Sequence, residues 1–203
     1  MRKGDKVIKK IAGVEHVLTF LGKGRYTEAY ANEKWVYSFT NMEDHSKEAL
    51  SWRAIRLPHI PQFEKVDEFE RYWRSKVTDI GVFRSPLYHK ITAKTHPWLY
   101  SEVKRLDAAR WELSNKWYTH ANRAPFEEIK WPTEVAQMFV DQTPMEQSWR
   151  EALQEILYAG MDYDSTMAFL EFHKPNIVAD DNGDIVFLDV LCFLTRWGRY
   201  EKK

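Results

Sequence analysis

Asn176 and Asp189 lie thirteen positions apart (189 minus 176), each beside a short hydrophobic stretch, I-V-A at 177–179 and I-V-F-L at 185–188. A turn at Asp181, Asn182 and Gly183 makes those stretches a hairpin, which brings an amide oxygen and a carboxylate together. Hard oxygen donors of this kind suit Mg²⁺, whose shell is commonly completed by the phosphate oxygens of a nucleotide. Structural roles compete for both residues, Asn176 as a turn cap and Asp189 as the partner of an arginine. Further upstream, Gly22 and Gly24 in L-G-K-G-R-Y-T-E-A-Y (21–30) stand between two strand-like stretches. Glycines there let the backbone approach a phosphate that a side chain would hold off, although a G-x-G hairpin serves a purely structural turn equally well.

Other chemistries find less support. The seven histidines (16, 45, 59, 89, 96, 120, 173) show no H-x-x-x-H spacing, which argues against a zinc hydrolase. The single cysteine, Cys192, excludes an intrachain disulfide or a Cys-rich zinc site and suits a reducing cytoplasm. Its apolar neighbours Leu191, Phe193 and Leu194 predict a buried, unreactive thiol. Thirty basic residues balance thirty acidic ones, so no global field recruits nucleic acid or an anionic membrane. The longest apolar run, 185–194, is split by Asp189 and falls short of the ~20 residues of a membrane span. No signal peptide is read at the basic N-terminus.

The elements that must position these residues follow from periodicity. Residues 17–21, 26–31 and 34–39 are β-branched or aromatic and separated by Gly22, Gly24 and Asn32, which predicts a small antiparallel meander. A helix is expected over 44–57, ended by Pro58 and Pro61. Residues 80–91 read as one or two strands, 97–118 as a helix rich in Trp and Tyr. Trp149, Leu153, Ile156 and Leu157 form one stripe of a helix over 145–158. The chain of 203 residues then divides into a β-rich part, 1–85, and a mainly helical part, 86–203.

The order of these parts resembles the protein-kinase-like superfamily, and more closely the kinase-like early proteins of short-tailed bacteriophages. The residues that carry the resemblance are G-K-G-R-Y-T-E-A-Y (22–30), W-V-Y-S-F (35–39), K-E-A-L (47–50), L-E-F-H-K-P-N-I-V (170–178) and F-L-D-V (187–190). It implies an α+β, bilobal protein-kinase-like fold, with a small antiparallel β-rich N-lobe and a truncated, mainly helical C-lobe. Carried over by position, Gly22 and Gly24 match the loop over the ATP phosphates and Glu48 the helix glutamate that orients the site. Asn176 matches the catalytic-loop asparagine and Asp189 the metal-binding aspartate.

Two departures stand out. The third-strand lysine that pairs with the α and β phosphates falls near Ser38, so Lys23, Arg25, Lys34 and Lys47 are weighed as nearby cations, Lys23 and Lys47 foremost; all four also read as solvated surface charges. The catalytic base, five residues before Asn176, is Glu171, whose stem is roughly 1.5 Å longer than that of aspartate. His173 is expected to hold the loop. An exposed subset of Trp98, Trp111, Trp117 and Trp131 would mark a protein-binding surface. The resemblance implies ATP and Mg²⁺ as cofactors, a host protein as substrate or target, and the cytoplasm of the bacterial host as the place of action. Two functions follow: transfer of the ATP γ-phosphate to Ser or Thr of host proteins, or an inactive pseudokinase that binds and inhibits a host protein.

Overall fold

The computed structural model describes residues 1–53, 57–73, 76–121, 132–164, 168–172 and 176–193, with positions 114–121 described as backbone only. The chain is α+β, and it divides into two compact units, residues 1–54 with 61–88 and residues 55–60 with 89–203.

The first unit is an antiparallel sheet in the order β1-β2-β3-β4-β6-β5, with a helix inserted before its last two strands. The strands are β1 (Lys6–Ile11), β2 (Val14–Lys23), β3 (Thr27–Ala31), β4 (Trp35–Asn41), β5 (Glu64–Trp73) and β6 (Lys76–Pro86); the helix is α1 (Ser46–Arg53). Ala12 and Gly13 both take positive φ, 47° and 84°, as the two-residue turn between β1 and β2 requires. Asn32 closes the β3–β4 turn by accepting the N–H groups of Lys34 and Trp35 on Oδ1. The sheet curls so that the β1–β2 turn reaches β5, the Ala12 N–H donating to Asp67 Oδ2 at 2.7 Å.

The strand period of two gives this sheet an inner and an outer face. Leu18, Phe20, Tyr30, Tyr37, Phe39, Trp73, Ile80 and Val82 are buried together with Ile11 as one apolar cluster on the inner face. Strands β1 and β5 were not anticipated from sequence, because charged Lys9, Asp67 and Arg71 share the inward positions with apolar residues and blur the alternation. Helix α1 is also shorter than the expected 44–57, with Leu57 lying outside it.

In the second unit β7 (His89–Lys90), β9 (Val178–Ala179) and β10 (Ile185–Val186) form one small sheet, while β8 (Ala168–Leu170) and β11 (Leu191–Phe193) form another. Helices α2 (Pro97–Ala121), α3 (Pro132–Gln142) and α4 (Gln147–Tyr163) pack with them, α3 on α4 and β8. The α4 stripe read from sequence belongs to the core: Trp149, Leu153, Ile156 and Leu157 are buried, and Trp149 meets the Phe187 ring edge-on. The segment at 57–60 belongs to this unit. His59 accepts the Phe187 N–H on its carbonyl, and its ring contacts Ile185 O and Ser148 Oγ at 2.8 and 3.1 Å. The region between 60 and 145 also contains β5 and α3, which carry no distinctive motif.

Candidate functional site

Glu171, Asn176 and Asp189 converge because their neighbours are driven inward. Leu170 and Phe172 flank Glu171, Ile177 follows Asn176, and Phe187 and Val190 lie around Asp189, all of them buried, whereas the three polar residues stay half-buried. Three hydrogen bonds fix the arrangement. The Asp189 N–H donates to the Asn176 carbonyl at 3.0 Å, the Glu171 N–H to the Val190 carbonyl at 2.7 Å, and the Asn176 amide nitrogen to the Glu171 carbonyl at 3.4 Å. With its nitrogen donating to Glu171, the Asn176 amide keeps its oxygen as an acceptor or metal ligand. The β9–β10 hairpin holds this geometry. Asp180 Oδ1 accepts the N–H groups of Asn182 and Asp184, and Gly183 sits at φ 84°, a conformation that favours glycine.

In the first unit the cross-strand registers place Gly22, Ala29, Ser38, Phe83 and Lys65 in one row over β2, β3, β4, β6 and β5. Partners across a ladder share a face, so all five lie on the outer face. A methyl group at Gly22 would have nothing within 4 Å, and at Gly24 only Thr27 O at 3.8 Å; neither glycine has positive φ. The backbone and the packing of this unit therefore do not require glycine at either position. The Gly24 N–H closes the hairpin on Thr27 O at 2.8 Å.

Ser38 is buried in the middle of the row. Two strands away, about 10 Å at the usual strand spacing, Lys65 reaches Glu48 of α1 with Nζ to Oε1 at 2.8 Å, and Glu68 at 2.7 Å. Burial opposes the Lys65 charge, but hydrogen bonds and attraction from Glu48 and Glu68 prevail and raise its pKa. Lys65 was not among the cations weighed from sequence. The signal was thin: a lysine inside a charged stretch, its significance set by a strand register that no motif encodes.

The other candidates are disposed differently. Lys23 is on the inner face, bonded to Glu28 at 2.9 Å and stacked on Trp73 at 4.4 Å. Arg25 stacks on Tyr26, its Cζ 5.0 Å from the ring centre. Lys47 is buried, its Nζ 5.7 Å from the ring centre of Phe63. Lys34 stacks on Trp35. Cys192 is half-buried in β11 opposite Phe169, less enclosed than its apolar neighbours suggested. Trp98 and Trp111 are exposed, but thirteen residues of helix set them roughly 140° apart around the axis, so they share no face. The side chains of Trp117 and His120 and all of Trp131 and His173 lie outside the described residues.

Asn176 and Asp189 fit Mg²⁺ as a pair of hard oxygen donors that leave positions for phosphate and water oxygens. Among the described residues no group of three or more His, Cys, Asp or Glu gathers as a metal cage, and no helix is long and apolar enough to cross a membrane. The chain matches no model of a known protein family, and no curated protein matches it either.

Proposed function

We propose that this chain is an atypical protein-kinase-like phosphotransferase, akin to the kinase-like early proteins of short-tailed bacteriophages, which moves the γ-phosphate of ATP to Ser or Thr of a host protein in the host cytoplasm. The observation that carries the reading is the convergence of Glu171, Asn176 and Asp189 through Asp189 N–H to Asn176 O and Asn176 Nδ2 to Glu171 O. It joins the residues assigned as base and metal ligands through backbone groups and the short Asn176 amide rather than by long side chains, which favours precise placement.

In this reading Asn176 and Asp189 hold Mg²⁺, which when bound supplies charge neutralisation on the phosphates. Glu171 receives the hydroxyl proton of the acceptor as the new P–O bond forms and the bond to ADP breaks. Lys65, paired with Glu48 of α1, takes the place of the third-strand lysine. The test is Mg-ATP-dependent thermal stabilisation followed by radiolabel transfer, including autophosphorylation, for wild type and Asp189→Asn. Stabilisation and transfer by wild type alone support the reading. Wild type that neither binds Mg-ATP nor transfers label refutes it.

One observation favours the pseudokinase alternative. Lys65 is held by two carboxylates and Lys23 by Glu28, so each cation has a protein anion to leave before it serves a phosphate. A chain that engages a host protein without Mg-ATP would establish that alternative.

A further inference from the structure

The inner face of the first unit's sheet carries charge inside an apolar core. Lys9 of β1, Lys23 of β2 and Arg71 of β5 gather around a single carboxylate, Glu28 of β3. Lys23 Nζ and Arg71 Nη1 each donate to Glu28 at 2.9 Å, and the Tyr30 hydroxyl donates to it at 3.1 Å. Lys9 Nζ stands over the Tyr30 and Phe39 rings, 4.5 and 5.3 Å from their centres. Three cations around this one buried carboxylate give the cluster a formal charge of +2, part of which stays in contact with water through Lys23 and Arg71.

Among the described residues, one buried donor at this cluster lacks an acceptor, and one half-buried ammonium has no protein anion bonded to it. Trp73 Nε1 is buried with no hydrogen-bond partner among the described residues, in a side chain only 3% exposed. Its ring is the one on which Lys23 and Arg71 stack, at 4.4 and 5.7 Å. The Lys9 ammonium forms no hydrogen bond or ion pair among the described residues, and burial, reinforced by Arg71, lowers its pKa despite the attraction of Glu28. A network built only to satisfy Glu28 needs Lys23 and Arg71; it accounts for neither Lys9 nor the indole N–H. A buried donor such as the Trp73 indole N–H is rarely left unpaired in a native protein, and such a donor beside excess positive charge suits an anion with several acceptor oxygens. The cluster reaches solvent through Lys23 and Arg71, whose side chains are 47% and 38% exposed.

We propose that Lys9, Lys23, Arg71 and the Trp73 indole N–H form a binding site for a phosphate-class oxyanion, free or carried on another molecule, on the face of the sheet opposite Gly22, Ser38 and Lys65. The site is independent of the phosphotransfer reading, since it shares no face with the row that includes Lys65.

The experiment titrates the ¹⁵N-labelled full chain with inorganic phosphate, and in a second arm with phosphoserine, at constant ionic strength. It follows the indole N–H resonance of Trp73, picked out from those of the nine tryptophans by Trp73→Phe. A saturable shift is expected, weakened at least about tenfold by Lys9→Met, which breaks no ion pair. Comparable affinity for the two probes identifies a free anion as sufficient; tighter phosphoserine binding identifies a carried phosphate. If Lys9→Met does not fold, Lys9→Gln takes its place. No saturable movement with either probe, or undiminished binding in the Lys9 variant, overturns the proposal.

Discussion

Glu28 supplies a prediction whose size follows from its surroundings. Burial by itself would raise the carboxyl pKa, but hydrogen bonds from Lys23, Arg71 and Tyr30 and the charge of Arg71 outweigh it and bring it from 4.5 down to about 2. A difference of about 2.5 units corresponds to about 3 kcal/mol, reduced to about 2 kcal/mol because the Lys23 and Arg71 side chains are 47% and 38% exposed and screened by solvent. A depressed folded-state pKa contributes stability that is fully present above about 4.5 and is lost as pH falls through about 2. Glu28→Gln should therefore destabilise the first unit by about 2 kcal/mol at pH 7, with the gap to wild type closing between pH 4.5 and 2. Amide hydrogen exchange of β3 and β4 across that range reads this unit without interference from the second. Equal stability at pH 7, or a gap that persists unchanged to pH 2, would refute the argument that Glu28 is held ionised by these partners. The same variant raises the formal charge of the cluster from +2 to +3, so it should bind phosphate more tightly than wild type.

Further outcomes follow from single sites. Asp189→Asn is expected to weaken Mg-dependent ATP binding at least about tenfold by removing a ligand charge, measured by calorimetry with and without Mg²⁺. Lys65→Met should lower transfer about a hundredfold with the fold intact, whereas Lys23→Met, on the other face, should change it less than about threefold; the reverse ranking in a radiolabel assay would reject the relocated pair. Gly24→Ala meets only Thr27 O, at an ordinary 3.8 Å, and ordinary φ, so its melting temperature should stay near wild type while ATP affinity falls. Gly160→Ala places Cβ 2.6 Å from Leu191 Cδ1 and 2.9 Å from Ala168 Cβ; overpacking against β8 and β11 should exceed the gain in helix propensity and cost about 1 kcal/mol in urea unfolding.

Local signals in the chain determined the elements with clean periodicity or turn chemistry. The α4 stripe, the β2–β3–β4 meander and the β9–β10 hairpin each depend on neighbours a few residues away: apolar spacing of 3.6 or 2, Asn32 accepting two N–H groups, Gly183 at positive φ. The same local rule placed Glu171, Asn176 and Asp189 beside buried residues, and the order of elements suggested that they belong together. Tertiary structure alone decided which face each cation occupies. Lys23 and Gly22 are adjacent in sequence, yet the alternation of a strand sends them to opposite faces, and a one-residue difference in register would exchange them. Lys65 acquires its meaning from Glu48, seventeen residues away, and Arg71 from Glu28, forty-three residues away. Such pairs arise from strand register and the curl of the sheet, which are set by the summed packing of Tyr30, Phe39, Trp73, Ile80 and Val82. No short stretch of sequence contains that sum, because burial is a property of the assembled sheet.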